Sequence, residues 1–251
     1  MTDPTLFEIV ALTLLFALAA VIHGAFGIGF PMITTSVMSI FIGIQNAIIL
    51  TLWPALCVNL LLVFNGLPVG QIIKRYWLLA LVALIGSLVG VYLLFMIPQT
   101  FLQLFLSLTI LYYVYTQFRG YTLRLSSDNM ALAIGFGLLA GIVGGATNTM
   151  APILLIYLFS VTEDKNEMAQ GTNLCFLLGK VAQAVVIYRQ PVAATLNNGL
   201  LVGLIVITIG AMYGGVFIRR KVPTQLFRKL ILLILFILAV FLLFTSLTKL
   251  F

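Results

Sequence analysis

The sequence predicts an all-α polytopic membrane protein built from two inverted-topology repeats. Composition is the first observation behind this. Hydrophobic residues fill 63% of the 251 positions and charged residues 8%, where a soluble domain carries about 25% charged residues. With a mean hydropathy of +1.22, the chain lacks the polar groups to cover a water-facing surface, so the bilayer is its main solvent. The second observation is that apolar segments recur, five before residue 125 and five after it. The third is that prolines repeat. Pro31 pairs with Pro152 at an offset of 121, Pro68 with Pro191 at 123, and Pro98 with Pro223 at 125. Only Pro4 and Pro54 stay unpaired, while Gly24/Gly145 and Thr51/Thr172 share the offset of 121. Internal repeats of this kind mark secondary transporters.

A hydrocarbon core of about 30 Å needs about 20 helical residues. In the first repeat, residues 1–125, the apolar segments are 6–22, 30–44, 47–64, 77–97 and 101–118. In the second, residues 126–251, they are 130–143, 150–161, 169–188, 200–218 and 226–251. Segment 6–22 follows Met1-Thr2-Asp3-Pro4, with no basic n-region and no convincing small-residue cleavage site. It reads as a retained membrane segment rather than a signal peptide. The first two segments of each repeat are short. Segments 130–143 and 150–161 would rise about 21 Å and about 18 Å, which suits broken or re-entrant hairpins as well as full spans. Each repeat then crosses five times or three, both odd, so the second enters upside down. One hairpin descends, the other rises, and their tips can meet near the midplane.

Basic residues set the orientation. Asp3 and Glu8 leave the N-terminus without positive charge, which places it outside. The Lys74/Arg75 loop, Arg119/Arg124, Lys165 and the run from Arg219-Arg220-Lys221 to Arg228/Lys229 then fall inside. Only Arg189 and Lys249 remain outside, together with the C-terminus. A net charge of +7 would suggest nucleic acid in a soluble protein. Here the cations sit in short loops, and no nucleic-acid partner is expected. Cys57 and Cys175 lie inside apolar segments and read as small packing residues, with no disulfide framework. Trp53, Trp77 and the tyrosines at segment ends read as interface anchors.

Two stretches interrupt the apolar pattern. The first is His23-Gly24-Ala25-Phe26-Gly27-Ile28-Gly29-Phe30-Pro31, and the second runs from Gly141 through Gly144-Gly145-Ala146-Thr147-Asn148-Thr149-Met150-Ala151 to Pro152. Glycine inside a helix costs about 1 kcal/mol relative to alanine, and proline about 3. Facing lipid, a broken backbone would leave N–H and C=O groups unpaired at several kcal/mol each. Such breaks survive only when buried in protein or lining a wet cavity. Gly24, Gly27 and Gly29 permit a sharp turn, and Pro31 and Pro152 suit the first turn of the next helical piece. Thr147, Asn148 and Thr149 offer cap-type side chains. Each tip thus presents a half-helix N-terminus, whose free N–H groups and positive dipole end suit an anion. The competing reading is that the glycines serve only close helix packing. The string Gly24-x-x-Gly27-x-Gly29 is not a dinucleotide fingerprint, since no strand–turn–helix unit surrounds it.

Lys180 is the sharpest single residue. It lies about eleven residues, roughly 16 Å, into segment 169–188. A charge near the bilayer centre costs about 2.5–3.5 kcal/mol on insertion scales. All six acids lie in loops or at segment ends. A buried cation without a carboxylate calls for a mobile anion, unless the lysine is neutral or reaches a helix C-terminus. Its repeat equivalent is Asn59, also mid-segment, at the offset of 121. Gln183 and Asn173 share its helix face. His23 adjoins the first tip. Since imidazole titrates near physiological pH, His23 could donate to an oxyanion or carry a proton. It could equally be a hydrogen-bonded structural residue. The acidic stretch 163–167 reads as a solvated loop.

Two glycine-rich, proline-terminated tips with a basic central crossover in a chain of this length resemble the sulfite exporter TauE/SafE family. The resemblance rests on Gly24, Gly27, Gly29 and Pro31, and on Gly141, Gly144, Gly145 and Pro152. The second tip departs from the glycine-rich pattern at Ala146-Thr147-Asn148-Thr149, a departure expected to bear on which anion is taken. The family comprises bacterial membrane permeases for sulfite, organosulfonates and related sulfur anions. The resemblance therefore implies a bacterial inner-membrane exporter of a small sulfur oxyanion or organosulfonate, without cofactor or metal. A homodimer and proton coupling are candidate features. An anion channel with the same site and an uptake permease are the alternatives. A membrane enzyme lacks support, since one histidine and no buried carboxylate pair leave few acid–base groups.

Overall fold

The computed structural model describes residues 5–119, 130–162, 164–189, 198–218, 224–248 and 250. Among the described residues there are ten α-helices and no strand. The first five are α1 (Leu6–Phe26), α2 (Phe30–Ile42), α3 (Ile44–Val63), α4 (Val69–Met96) and α5 (Gln99–Arg119). The others are α6 (Met130–Thr147), α7 (Ala151–Val161), α8 (Lys165–Ile187), α9 (Asn198–Ile218) and α10 (Thr224–Thr248). Six of them, α1, α3, α4, α5, α6 and α9, are long and apolar enough to cross a membrane.

Local chemistry starts these helices where the chain leaves the apolar zone. A capping box opens α1: Thr5 Oγ1 accepts from the Glu8 N–H, and the Glu8 carboxylate accepts from the Thr5 N–H. Asp164 caps α8 by accepting from the Asn166 and Glu167 N–H groups. Along α4 the residues Ile73, Trp77, Leu81, Ile85, Val89, Tyr92 and Met96 are exposed, a stripe at helical spacing. This is the lipid-facing side of a membrane helix. The opposite face, with Leu79, Ala83, Gly86, Ser87 and Gly90, is buried.

The two breaks are narrower than the sequence suggested. Helix α1 runs through Gly24 to Phe26, and α6 runs through Gly141, Gly144 and Gly145 to Thr147. Only Gly27–Gly29 and Asn148–Met150 are non-helical. The first member of each expected hairpin is therefore long enough to span. The second is short: α2 has 13 residues and α7 has 11. The reason is packing. A Cβ on Gly24 would run into the Met212 carbonyl of α9, and one on Gly145 would sit 2.5 Å from the Ser87 carbonyl of α4. These glycines let neighbouring backbones approach, which repays their helical cost.

That close packing occurs twice. Gly137, Gly141 and Gly145 of α6 meet the carbonyls of Leu79, Ala83 and Ser87 in that order, so α4 and α6 run parallel. Helix α9 packs on α1 in a similar way. Gly90 faces the Ile142 carbonyl as Gly215 faces the Val21 carbonyl. The residue offsets in this contact are 125 and 121, the values carried by the proline pairs Pro98/Pro223 and Pro31/Pro152.

Lys74 and Arg75 are not in a loop but within the first turns of α4. Nor is stretch 163–167 merely a solvated loop. Glu167 is buried, pairs with Arg75 at 2.6 Å, and accepts from Tyr76 and Thr162. Arg75 also donates to the Val161 carbonyl at 2.9 Å. The start of α4 is thus tied to the α7–α8 junction, at one end of the bundle. Asp3, Arg124, Glu163, Pro191, Arg219, Arg220, Lys221, Pro223 and Lys249 lie outside the described residues, as do the side chains of Lys165 and Arg228.

Candidate functional site

Helix α1 stops at Gly27, whose φ of 75° turns the chain back so that its N–H reaches the His23 carbonyl at 2.6 Å. Gly29, at φ 116°, starts α2, and Pro31 sits in its first turn. Both φ values strain a residue with a Cβ. In the second break the turn is made by Asn148, with φ 60° and its N–H on the Gly144 carbonyl at 2.9 Å. Asparagine is among the few residues that tolerate this region. Asn148 therefore does the backbone work of Gly27, which it matches at the offset of 121, and adds an amide.

That amide organises the site. Lys180 Nζ donates to Asn148 Oδ1 at 2.5 Å and to Gln183 Oε1 at 2.6 Å. Gln183 Nε2 donates to Asn148 Oδ1 at 3.0 Å and to the Gly145 carbonyl at 3.1 Å. Asn148 Nδ2 donates to Thr35 Oγ1 of α2 at 2.8 Å. Lys180 is 5% exposed. Among the described residues the single ion pair is Arg75–Glu167, so Lys180 Nζ is held by amide oxygens and not by a carboxylate.

The two breaks meet at one cavity of about 370 Å³, counting its open mouth. Gly29, Pro31 and Met32 line it from the first break, Gly144, Asn148, Met150 and Ala151 from the second. Ser87 of α4 and Phe176, Gly179, Lys180 and Gln183 of α8 complete the wall. Helix α8 serves both breaks. Two turns before Lys180, Asn173 Nδ2 donates to the Gly27 carbonyl at 2.8 Å, and its Oδ1 lies 3.0 Å from His23 Nε2.

A family model described as Sulfite exporter TauE/SafE matches residues 12–242. The chain belongs to the sulfite exporter TauE/SafE family. No curated protein and no solved structure matches it. The TauE/SafE match covers both breaks, all of α8 and the cavity wall. It makes the chain a multi-pass membrane protein of a sulfur-anion transporter family.

Within this TauE/SafE chain the expected site residues divide into three groups. Gly29, Pro31, Gly144, Asn148, Lys180 and Gln183 line the cavity. Gly24, Gly27, Gly145, Thr147, Thr149, Pro152 and Asn173 shape or brace the breaks without lining it. Thr147 and Thr149 do not cap α7. Their hydroxyls donate to the carbonyls of Val143 and Thr147, and Met150 at the cap position makes no side-chain cap bond. His23 and Asn59 form the third group, beside the first break.

His23 is fully buried with both ring nitrogens engaged. Nδ1 accepts from the Phe30 N–H at 3.2 Å, which puts the proton on Nε2, facing Asn173 Oδ1. It therefore has no free donor aimed at the cavity. It caps the start of α2. Asn59 adjoins the His23 ring and is fully buried.

Sequence reasoning missed Ser87, Met32, Met150, Phe176 and Thr35. Ser87 had a signal, a hydroxyl between Gly86 and Gly90 in the otherwise apolar stretch 77–91. The apolar wall residues had none, because nothing in sequence separates them from core.

Proposed function

We propose that this chain is a secondary transporter, and specifically an exporter, of a small sulfur-containing anion such as sulfite or an organosulfonate. The anion binds in the Lys180 cavity, and the two halves, residues 1–125 and 126–251, move by alternating access as inverted repeats. The observation that carries this reading is the Lys180 ammonium, buried between two helix breaks with amide oxygens but no carboxylate around it. An anion supplies the missing charge.

A difference between the halves favours the second break as its site. His23 occupies the N-terminal end of α2 through the Phe30 N–H. The equivalent position in the second half is Gly144, which cannot cap, and α7 has no side-chain cap. The half that lacks the cap is the half that carries the lysine. An uncapped helix start and a cation on one cavity are complementary to an oxyanion. The inverted arrangement is supported by the duplicated packing of α4 on α6 and α9 on α1.

An inside-negative potential favours anion export by about 2.3 kcal/mol per charge per 100 mV, so a uniporter suffices. We place the protein in the bacterial inner membrane with both termini periplasmic. Thermal stabilisation of the purified protein by sulfite, sulfate, thiosulfate, sulfoacetate and taurine tests the reading. A ligand at a hundredfold excess over its Kd adds about 2.7 kcal/mol to stability. One or more sulfur anions should stabilise the wild type while chloride does not. No shift with any of the five would contradict it.

A further inference from the structure

Among the described residues, buried side-chain polar atoms without a hydrogen-bond partner belong to Asn59 and Thr208 alone. In Asn59 both amide atoms are unpaired, and the residue is 0% exposed. Leaving a buried donor or acceptor unmade costs about 1–3 kcal/mol. Such groups call for a partner that comes and goes.

Asn59 occupies in α3 the position that Lys180 occupies in α8. The register is fixed by Thr51 and Thr172, each eight residues earlier, each donating to the carbonyl four residues back, Ala47 at 2.7 Å and Met168 at 2.8 Å. The two helices pack on each other. The Asn59 amide faces the ring of His23, the residue that caps α2 at the first break, close enough to interact but without hydrogen-bond geometry. Phe176 of α8 borders both the Lys180 cavity and His23. Its ring lines the cavity and lies 6.4 Å from the His23 ring, centroid to centroid.

We propose that the unpaired Asn59 amide is a second, uncharged station for the transported anion, separated from the Lys180 station by the Phe176 ring. This rests on the reading of the Lys180 cavity as the anion site. When Phe176 swings aside, the anion exchanges an ammonium for the Asn59 Nδ2–H donor. Asn59 Oδ1 accepts from a water of the anion's shell. A neutral station binds weakly. Conduction through a protein requires sites strong enough to enter and weak enough to leave, and a lone lysine station would hold its anion. The lysine captures and the asparagine releases.

The test uses the full-length protein with sulfite as the probe, comparing sulfite Kd in detergent with sulfite flux in proteoliposomes. Asn59→Leu should keep the wild-type Kd within about threefold, leave the melting temperature unchanged or raised, and lower flux at least tenfold. Asn59→Ala should lose flux similarly, while Asn59→Ser, which restores a donor, should keep it within about threefold. This Ala/Ser pair stands if the leucine variant does not fold. Flux within twofold of wild type in Asn59→Leu or Asn59→Ala would overturn the proposal and leave Asn59 as the holder of a structural water. A failure of the cavity reading shows elsewhere, as unchanged sulfite Kd in Lys180→Met.

Discussion

Lys180 Nζ and Asn148 Oδ1 lie 2.5 Å apart, so the buried cation is bonded to the residue that makes the second helix break. Charge and backbone geometry are coupled there. Gln183 bonds both partners and the Gly145 carbonyl. On the proposed function, an anion that draws the Lys180 side chain away loosens its hold on the break that precedes α7.

The ligand-free stability of Lys180→Met should equal or exceed that of the wild type. A buried cation without a counterion is costly, and an apolar side chain of similar length is often neutral or stabilising in such places. Asn148 Oδ1 keeps the Gln183 donor. Thermal unfolding in detergent without substrate checks this. A large loss of stability would mean that the lysine holds the fold.

Asn148→Gly and Asn148→Ala separate turn geometry from side-chain bonding. Both lose the bonds to Lys180 and Thr35. Only alanine also meets the steric cost of the left-handed region at φ 60°, about 1–2 kcal/mol. The alanine variant should melt lower than the glycine variant, and both should bind sulfite more weakly than wild type.

Gly215→Val should abolish folding or cost several kcal/mol, because its Cβ would meet the Val21 carbonyl of α1. Gly210→Val on the same helix should be tolerated, since nothing lies within 4 Å of its Cβ position. Yield of monodisperse protein in detergent discriminates them. Equal yields would remove the close α1–α9 contact.

Glu167→Ala should destabilise by about 1–3 kcal/mol, the usual cost of orphaning buried partners. Tyr76 and Thr162 lose their acceptor, and Arg75 its ion pair. Arg75→Ala should cost less, because Arg75 is half exposed while Glu167 is buried. Thermal melts of the two variants give the order, and the reverse order would contradict this account.

Much of this architecture was legible because lipid allows few solutions. Helices follow from apolar composition, and glycine with proline located both breaks. Their width was not legible. Gly24 and Gly145 stay helical because α9 and α4 press on them, which no local pattern records. Lys180 stood out as a cation with no carboxylate at its depth, and Gln183 followed from the spacing of one helical turn. The fate of His23 depends on Asn173, 150 residues away. The Arg75–Glu167 pair likewise joins the starts of α4 and α8, far apart in sequence, at one end of the bundle. Asn148 was readable as polar, but its left-handed φ of 60° was not, because no glycine marks the turn there.

The most direct test is sulfite affinity of wild type and Lys180→Met, measured by calorimetry on purified protein. The account predicts at least a hundredfold loss of affinity in the variant with an unchanged or higher ligand-free melting temperature. Equal affinity in the two proteins would contradict it.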